Sequence, residues 1–227
     1  MIVENKFKWE NLHKQSRFRP KYPNELVVQY VFRNFNRDGK NKILDLGCGA
    51  GRHVFFMGCE NIVPYGLDIS QPGVDYTRQL LSDSGMKDYC KNIVCADFQS
   101  IPFECNFFDG IISFGSLYYS DLSGIKKAID EMHRILKPGG KILIVVRGFQ
   151  DYRYGAGETI EKNTFIIRYD NEKACANAEN GMIMHFFDKA ELYELFKEFT
   201  TITIEETFET SNNGKLVDFN YIVNVVK

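Results

Sequence analysis

Residues 43–51 read ILDLGCGAG: an apolar strand end, an acid at Asp45, and glycines at 47, 49 and 51. Gly47, Gly49 and Gly51 let the chain turn sharply and bring its backbone closer to a ligand than any side chain would permit. A helix expected from about Arg52 would then aim its free N–H groups at whatever sits in the turn. That combination is the chemistry of a nucleotide-cofactor loop.

Spacing narrows the ligand. A dinucleotide fingerprint is G-x-G-x-x-G, and the position three after Gly49 is Arg52, so its third glycine is missing. Downstream, PYGLDIS (64–70) places Asp68 at the end of a second expected strand, about 20 residues after the loop, where a carboxylate can accept both ribose hydroxyls. CADFQSIPFECNFFDGIISFGSLYY (95–119) and RILKPGGKILIVV (134–146) follow. In this order the segments resemble the class I S-adenosylmethionine-dependent methyltransferases over roughly residues 41–147.

The resemblance implies S-adenosyl-L-methionine as cofactor, held by Asp45, Gly47, Cys48, Gly49, Asp68 and Ile69. It further implies Asp97 on the adenine amino group, the Phe98 N–H on a ring nitrogen, and Ser113 at the methionine end. It implies a Rossmann-like α/β fold, doubly wound, with a seven-stranded mostly parallel sheet and an antiparallel C-terminal hairpin strand.

The bare pattern supports that architecture. Strands at 41–46, 62–67, 92–96, 109–114 and 141–147 alternate with helices at 51–58, 72–84 and 121–136, which calls for a parallel sheet covered on both faces. A first helix over 23–35 buries Leu26, Val27, Tyr30 and Val31 on one face. In 121–136, Ile125, Ala128, Ile129, Met132 and Ile135 form an apolar stripe, and Pro138-Gly139-Gly140 is expected to stop the helix and turn the chain. A helix over 188–199 opens at Asp188, and two β-rich runs around Ser211–Gly214 make a hairpin.

The 227 residues suit one domain: an N-terminal cap or arm (1–40), a cofactor core (41–147), a substrate cap (148–187) and a C-terminal helix and hairpin (188–227). With 26% charged residues and no long apolar run, a soluble, cytoplasmic chain without a membrane partner is expected, as monomer or homodimer. A net charge of -2 argues against a nucleic-acid partner, although six lysines and arginines crowd residues 6–21; a solvated helix face over the cofactor site explains them most simply. The six cysteines show no metal-ligand spacing and read as free thiols, with Cys48 a reporter of the loop through thiol reagents. No acid constellation for a divalent cation stands out, so no metal is expected.

Methyl transfer from a sulfonium is an in-line displacement, so the protein must align the acceptor and exclude water. A small-molecule nitrogen or oxygen acceptor fits, set over the carboxyl ends of the central strands. Tyr118 and Tyr119 are placed to wall the methyl or orient the acceptor, and Tyr22, with Trp9 and Arg17, to close the site from the arm. His185 in MIMHFF is the candidate side-chain base, tested by His185→Ala kinetics; Tyr118 is the second catalytic candidate. Arg52 and His53 lie near the expected cofactor carboxylate. Two other readings stand beside this one: a non-catalytic cofactor-binding or assembly subunit, and a nicotinamide-dependent oxidoreductase, which lacks the third glycine, Asp97 and the terminal hairpin.

Overall fold

The computed structural model describes residues 2–169 and 178–227. Its main sheet contains β1 (Lys42–Leu46), β2 (Val63–Asp68), β3 (Ile93–Cys95), β4 (Phe108–Phe114), β5 (Leu136–Arg147), and the hairpin β9 (Thr201–Ser211) and β10 (Leu216–Val226). The order is β3-β2-β1-β4-β5-β10-β9. The first five strands are parallel, and β10 runs antiparallel to both β5 and β9. A second sheet of three antiparallel strands, β6 (Gly157–Glu161), β7 (Thr164–Ile167) and β8 (Ile183–His185), lies within the segment expected to vary.

Strands β1 and β4 are buried almost throughout, as parallel strands covered on both faces must be. On one face, Leu44, Ile111, Ile142 and Ile144 pack against Ile125, Ile129 and Met132 of α5 (Leu122–Ile135). On the other, Ile43, Ile112 and Leu143 meet Val27 and Val31 of α2 (Glu25–Asn34) and Met57 of α3 (Arg52–Cys59). Each fully buried aliphatic side chain contributes about 1.5–3 kcal/mol, so register errors that turned one face outward would be costly. The doubly wound sheet with an antiparallel C-terminal hairpin is the architecture the alternation and the resemblance imply.

Three boundaries differ from the sequence expectation. Helix α5 ends at Ile135, because Leu136 is extended and already pairs with Phe108. The Pro138-Gly139-Gly140 stretch is therefore an irregular strand start, with Gly139 at φ 74° and its N–H donated to Lys227 O. The last helix, α6 (Lys189–Leu195), is shorter than 188–199, although Phe196 and Phe199 still bury against the hairpin. Asp188 does cap it, accepting from Glu191 N at 2.8 Å. The N-terminal segment forms a helix of its own, α1 (Ile2–His13).

The small sheet is stitched to the carboxyl ends of the main one. Phe187 N donates to Arg147 O and His185 N to Tyr118 O. These bonds fix the end of β8 and Phe187 beside the end of β5, where open α/β sheets place ligands.

Candidate active site

At the carboxyl ends of β1, β2 and β4 lies a cavity with a mostly apolar lining. Its floor is the glycine turn. Gly47 has φ 82°, and a Cβ there would fall 2.3 Å from the Ser116 Cβ, so no other residue fits without moving the β4 loop. Gly49 N donates to Asp68 Oδ2 at 2.8 Å and Ser70 N to Asp68 Oδ1 at 2.8 Å, which locks the carboxylate at the end of β2 across the turn. Two of its roughly four lone-pair positions remain for a ligand. Burial raises the Asp68 pKa, while His13 and the two backbone donors act against that rise.

Ile69, Asp97 and Phe98 line the same cavity, and Asp97 Oδ1 accepts from Gln99 N at 2.9 Å. Asp45 and Cys48 lie beneath the turn rather than on its wall. His53 Nε2 accepts from Asn24 N at 3.3 Å, which leaves the proton on Nδ1, 3.5 Å from Asp45 Oδ2. His53 thus sits beside Asp45, whose Oδ2 is buried without a hydrogen-bond partner, while Arg52 lies over the Phe114 ring. Ser113 is fully buried, its Oγ paired at 3.0 Å with Ser116 Oγ, and it is Ser116 that reaches the cavity.

Several candidate side chains belong elsewhere. His185 is fully buried, with Thr164 Oγ1 at 2.7 Å from Nδ1 and Glu191 Oε2 at 3.0 Å from Nε2. Both ring nitrogens are occupied away from the cavity, so His185 ties the small sheet to α6 and is not placed to take an acceptor's proton. Tyr22 is 74% exposed and does not reach the site. Tyr118 packs against Tyr119 with ring centroids 4.5 Å apart and lies under the Arg147 guanidinium, behind the cavity wall. Cys48 is buried, and burial, Asp68 and Asp45 push its thiol well above the ordinary range, which makes it a poor target for thiol reagents.

Tyr119 is on the wall, and its hydroxyl donates to Glu179 Oε1 at 2.6 Å. Glu179 Oε2 accepts from Arg153 Nε at 2.6 Å, and Arg153 also pairs with Asp151 and Asp218. Arg147 pairs with Asp151 at 2.6 Å. Burial opposes the charge of both guanidiniums, yet the acids around them hold both above their ordinary value. This ion-pair cluster forms one side of an open groove that Phe114, the start of α2 and the middle of β9 complete. None of its acids stood out in the sequence, because their partners lie up to 71 residues away along the chain. Trp9, expected to close the site from the arm, does line the cavity; the residues missed on its wall include Asn5, His13, Gln99, Ser116 and Ser120.

Among the described residues no group of three His, Cys, Asp or Glu side chains is arranged to hold a metal, and no helix is long and apolar enough to cross a membrane. The cavity does fit an adenosyl ligand: a glycine cradle and a carboxylate with spare acceptor positions.

Comparison with known proteins agrees. Residues 44–144 match the methyltransferase domain family. The ubiquinone biosynthesis O-methyltransferase of Vibrio atlanticus is 26% identical over 222 residues, covering 95% of this chain and 89% of that one. The sterol 4-C-methyltransferase of Caenorhabditis elegans is 34% identical over 101 residues, covering 44% of this chain and 29% of its own length. The chain spans between 23% and 29% of that protein and three others matched at similar identity. A solved S-adenosylmethionine-dependent methyltransferase from Methanosarcina mazei superposes with a TM-score of 0.68 over 91% of this chain and 98% of that one; at 20% identity this shows a common fold. The matched segment, running from β1 through the glycine turn into β5, is a methyltransferase domain, and it contributes Gly47, Gly49, Asp68 and Asp97 to the cavity.

Proposed function

We propose that the protein transfers the methyl group of S-adenosylmethionine to a nitrogen or oxygen atom of a small-molecule acceptor that enters through the Arg147–Glu179 groove. The observation that carries this reading is the wall between the two cavities. Tyr119 lines one, Glu179 lines the other, and a single 2.6 Å hydrogen bond joins them. An acceptor in the groove would lie one side chain, Tyr119, away from a methyl donor in the cavity, and its nucleophile would reach the methyl group past the edge of that ring.

On this reading Asp68 holds the ribose, Asp97 and the Phe98 N–H hold the adenine, and the backbone of Gly47 and Gly49 lies along the methionine end, with Ser116 beneath it. The bound cofactor supplies an electrophilic methyl on a sulfonium; the chain supplies alignment and dryness. Trp9 and Tyr119 exclude water, and the ion-pair cluster keeps Tyr119 in one orientation. A neutral amine acceptor needs no base in this arrangement. Residues 41–147 would hold the cofactor, 148–187 would cap the acceptor, and the whole chain would act as one unit.

Charge favours a small molecule over a nucleic acid. Glu25, Glu179, Glu209 and Asp218 face the groove, against two guanidiniums already paired with acids, so a phosphate backbone would meet net repulsion. Arg147 Nε is buried without a partner and is the polar group a bound acceptor would complete. The test is calorimetric titration of S-adenosylmethionine and S-adenosylhomocysteine into wild type and Asp68→Ala, followed by an acceptor screen that reads S-adenosylhomocysteine release. Micromolar binding lost in the variant, with turnover on small amines or hydroxyls, supports the proposal. Turnover on RNA alone overturns the acceptor class, and binding without turnover on any acceptor favours a non-catalytic subunit.

A further inference from the structure

We propose that α1 is a wall of the cofactor site: that His13 hydrogen-bonds the bound cofactor and that Trp9 packs against it. The proposal rests on the cavity being the S-adenosylmethionine site and concerns residues outside the matched segment 44–144.

Asn5, Trp9 and His13 recur every four residues, so they project from one face of α1, and all three line the cavity. The helix is held in place from the far side of the cavity. Asn5 Nδ2 donates to Tyr119 O at 3.0 Å, Ile183 N donates to Asn5 Oδ1 at 3.0 Å, and Lys8 Nζ donates to Asn180 O. A helix bonded both to the loop after β4 and to the start of β8 spans the opening between them. Trp9 stacks on His13 with centroids 5.5 Å apart and meets the Tyr119 ring edge-on at 5.0 Å. The three rings make a continuous aromatic surface facing the glycine turn.

His13 is the member with unmet chemistry. It is 6% exposed; its Nδ1 is enclosed against Gly73 without a hydrogen-bond partner, and its Nε2 faces Gly49 on the cavity floor, where a ligand can meet it. The ring is wedged between the turn and α4 (Gln71–Asp83). A Cβ on Gly49 would lie 3.3 Å from its Nε2, and one on Gly73 would lie 2.8 Å from its Nδ1. Glycine at both positions leaves the room that the imidazole occupies, so backbone and side chain are fitted to each other. Burial keeps the ring neutral, able to donate at one nitrogen and accept at the other. Its ligand contact would fall beside Asp68, at the ribose and methionine side of the site.

Trp9 is the chain's single tryptophan, so its emission reports this wall alone. S-adenosylhomocysteine is titrated into wild type, His13→Phe and His13→Ala, following both Trp9 fluorescence and heat. His13→Phe keeps an aromatic ring on Trp9 and removes the hydrogen-bonding nitrogens. We expect saturable emission change in wild type and a Kd raised about tenfold in both variants, the size of one lost hydrogen bond in a dry site. Tryptic cleavage at Lys6, Lys8 and Lys14 should also slow with ligand in the wild type. Wild-type binding by calorimetry with unmoved emission, unchanged Kd in His13→Phe, or unprotected cleavage overturns the role of α1. Failure of folded wild type to bind at all instead overturns the reading of the cavity, and the proposal falls with it. Circular dichroism of each variant separates lost binding from lost folding.

Discussion

The Tyr119 hydroxyl donates to Glu179 Oε1 at 2.6 Å across 60 residues of sequence, and this bond joins a wall of the glycine-turn cavity to a wall of the ion-pair groove. Burial, then Glu179, pushes the Tyr119 phenol well above its ordinary range, so it stays a donor throughout the accessible pH range. Its direction is therefore fixed: the proton points at the carboxylate, and the ring stays edge-on to Trp9.

Tyr119→Phe should keep the ring contacts and leave Glu179 with Arg153 as its remaining close hydrogen-bond donor. The expected loss is about 1–3 kcal/mol of stability, the cost of leaving a buried acceptor short of a partner. Urea denaturation checks this. Turnover should fall more than cofactor affinity, because the variant loosens the shared wall and spares Asp68.

His185→Ala should retain cofactor binding and turnover per folded molecule. It should nonetheless destabilise the fold by about 2–4 kcal/mol, since a filled core site is emptied and Thr164 and Glu191 each lose a partner. Thermal melting read beside kinetics checks both halves. Loss of turnover in folded protein would return His185 to the chemistry.

Thiol labelling should follow burial. Cys59, Cys95 and Cys105 are exposed and should react in the native protein, whereas Cys48 should react only after unfolding. Peptide mapping of the labelled sites by mass spectrometry gives the order; Cys175 lies outside the described residues. Rapid labelling of Cys48 in folded protein would contradict its position under the turn.

Stability should fall on the acid side in part through His13. Burial lowers its affinity for protons, Asp68 partly opposes that, and Arg19 adds to it. As pH drops below about 6.5 the unfolded histidine takes up its proton first, so protonation draws the equilibrium toward the unfolded chain. Above that range both states carry neutral imidazole, and His13 adds no pH dependence. His133 is lowered as well, by burial and Lys227, so the informative quantity is the difference between wild type and His13→Phe. Urea midpoints at about pH 7.5 and about pH 5.5 should converge on each other in the variant more than in wild type.

Much of the cofactor half was readable because its signals are local. Gly47 and Gly49 answer to backbone conformation, Asp68 to a strand end, and the stripe Ile125–Ile129–Met132 to helical period. His185 was misread because a histidine among apolar residues looks the same in sequence whether it faces solvent, ligand or two buried partners. Tyr22 was misplaced for a related reason: proximity of the arm to the site says nothing about which of its side chains turn inward.

The sequence by itself determined the strand and helix alternation, the glycine turn with its acid, and the terminal hairpin, since each depends on residues within a few positions of one another. Only the tertiary structure decided that Asn5, Trp9 and His13 wall the cavity and that Asp151, Arg153, Glu179 and Asp218 gather around Arg147. Those are contacts between segments far apart in the chain, and they exist because the small sheet and α1 close over the ends of the strands. Periodicity says which face of an element is buried; it is packing that says what the buried face meets.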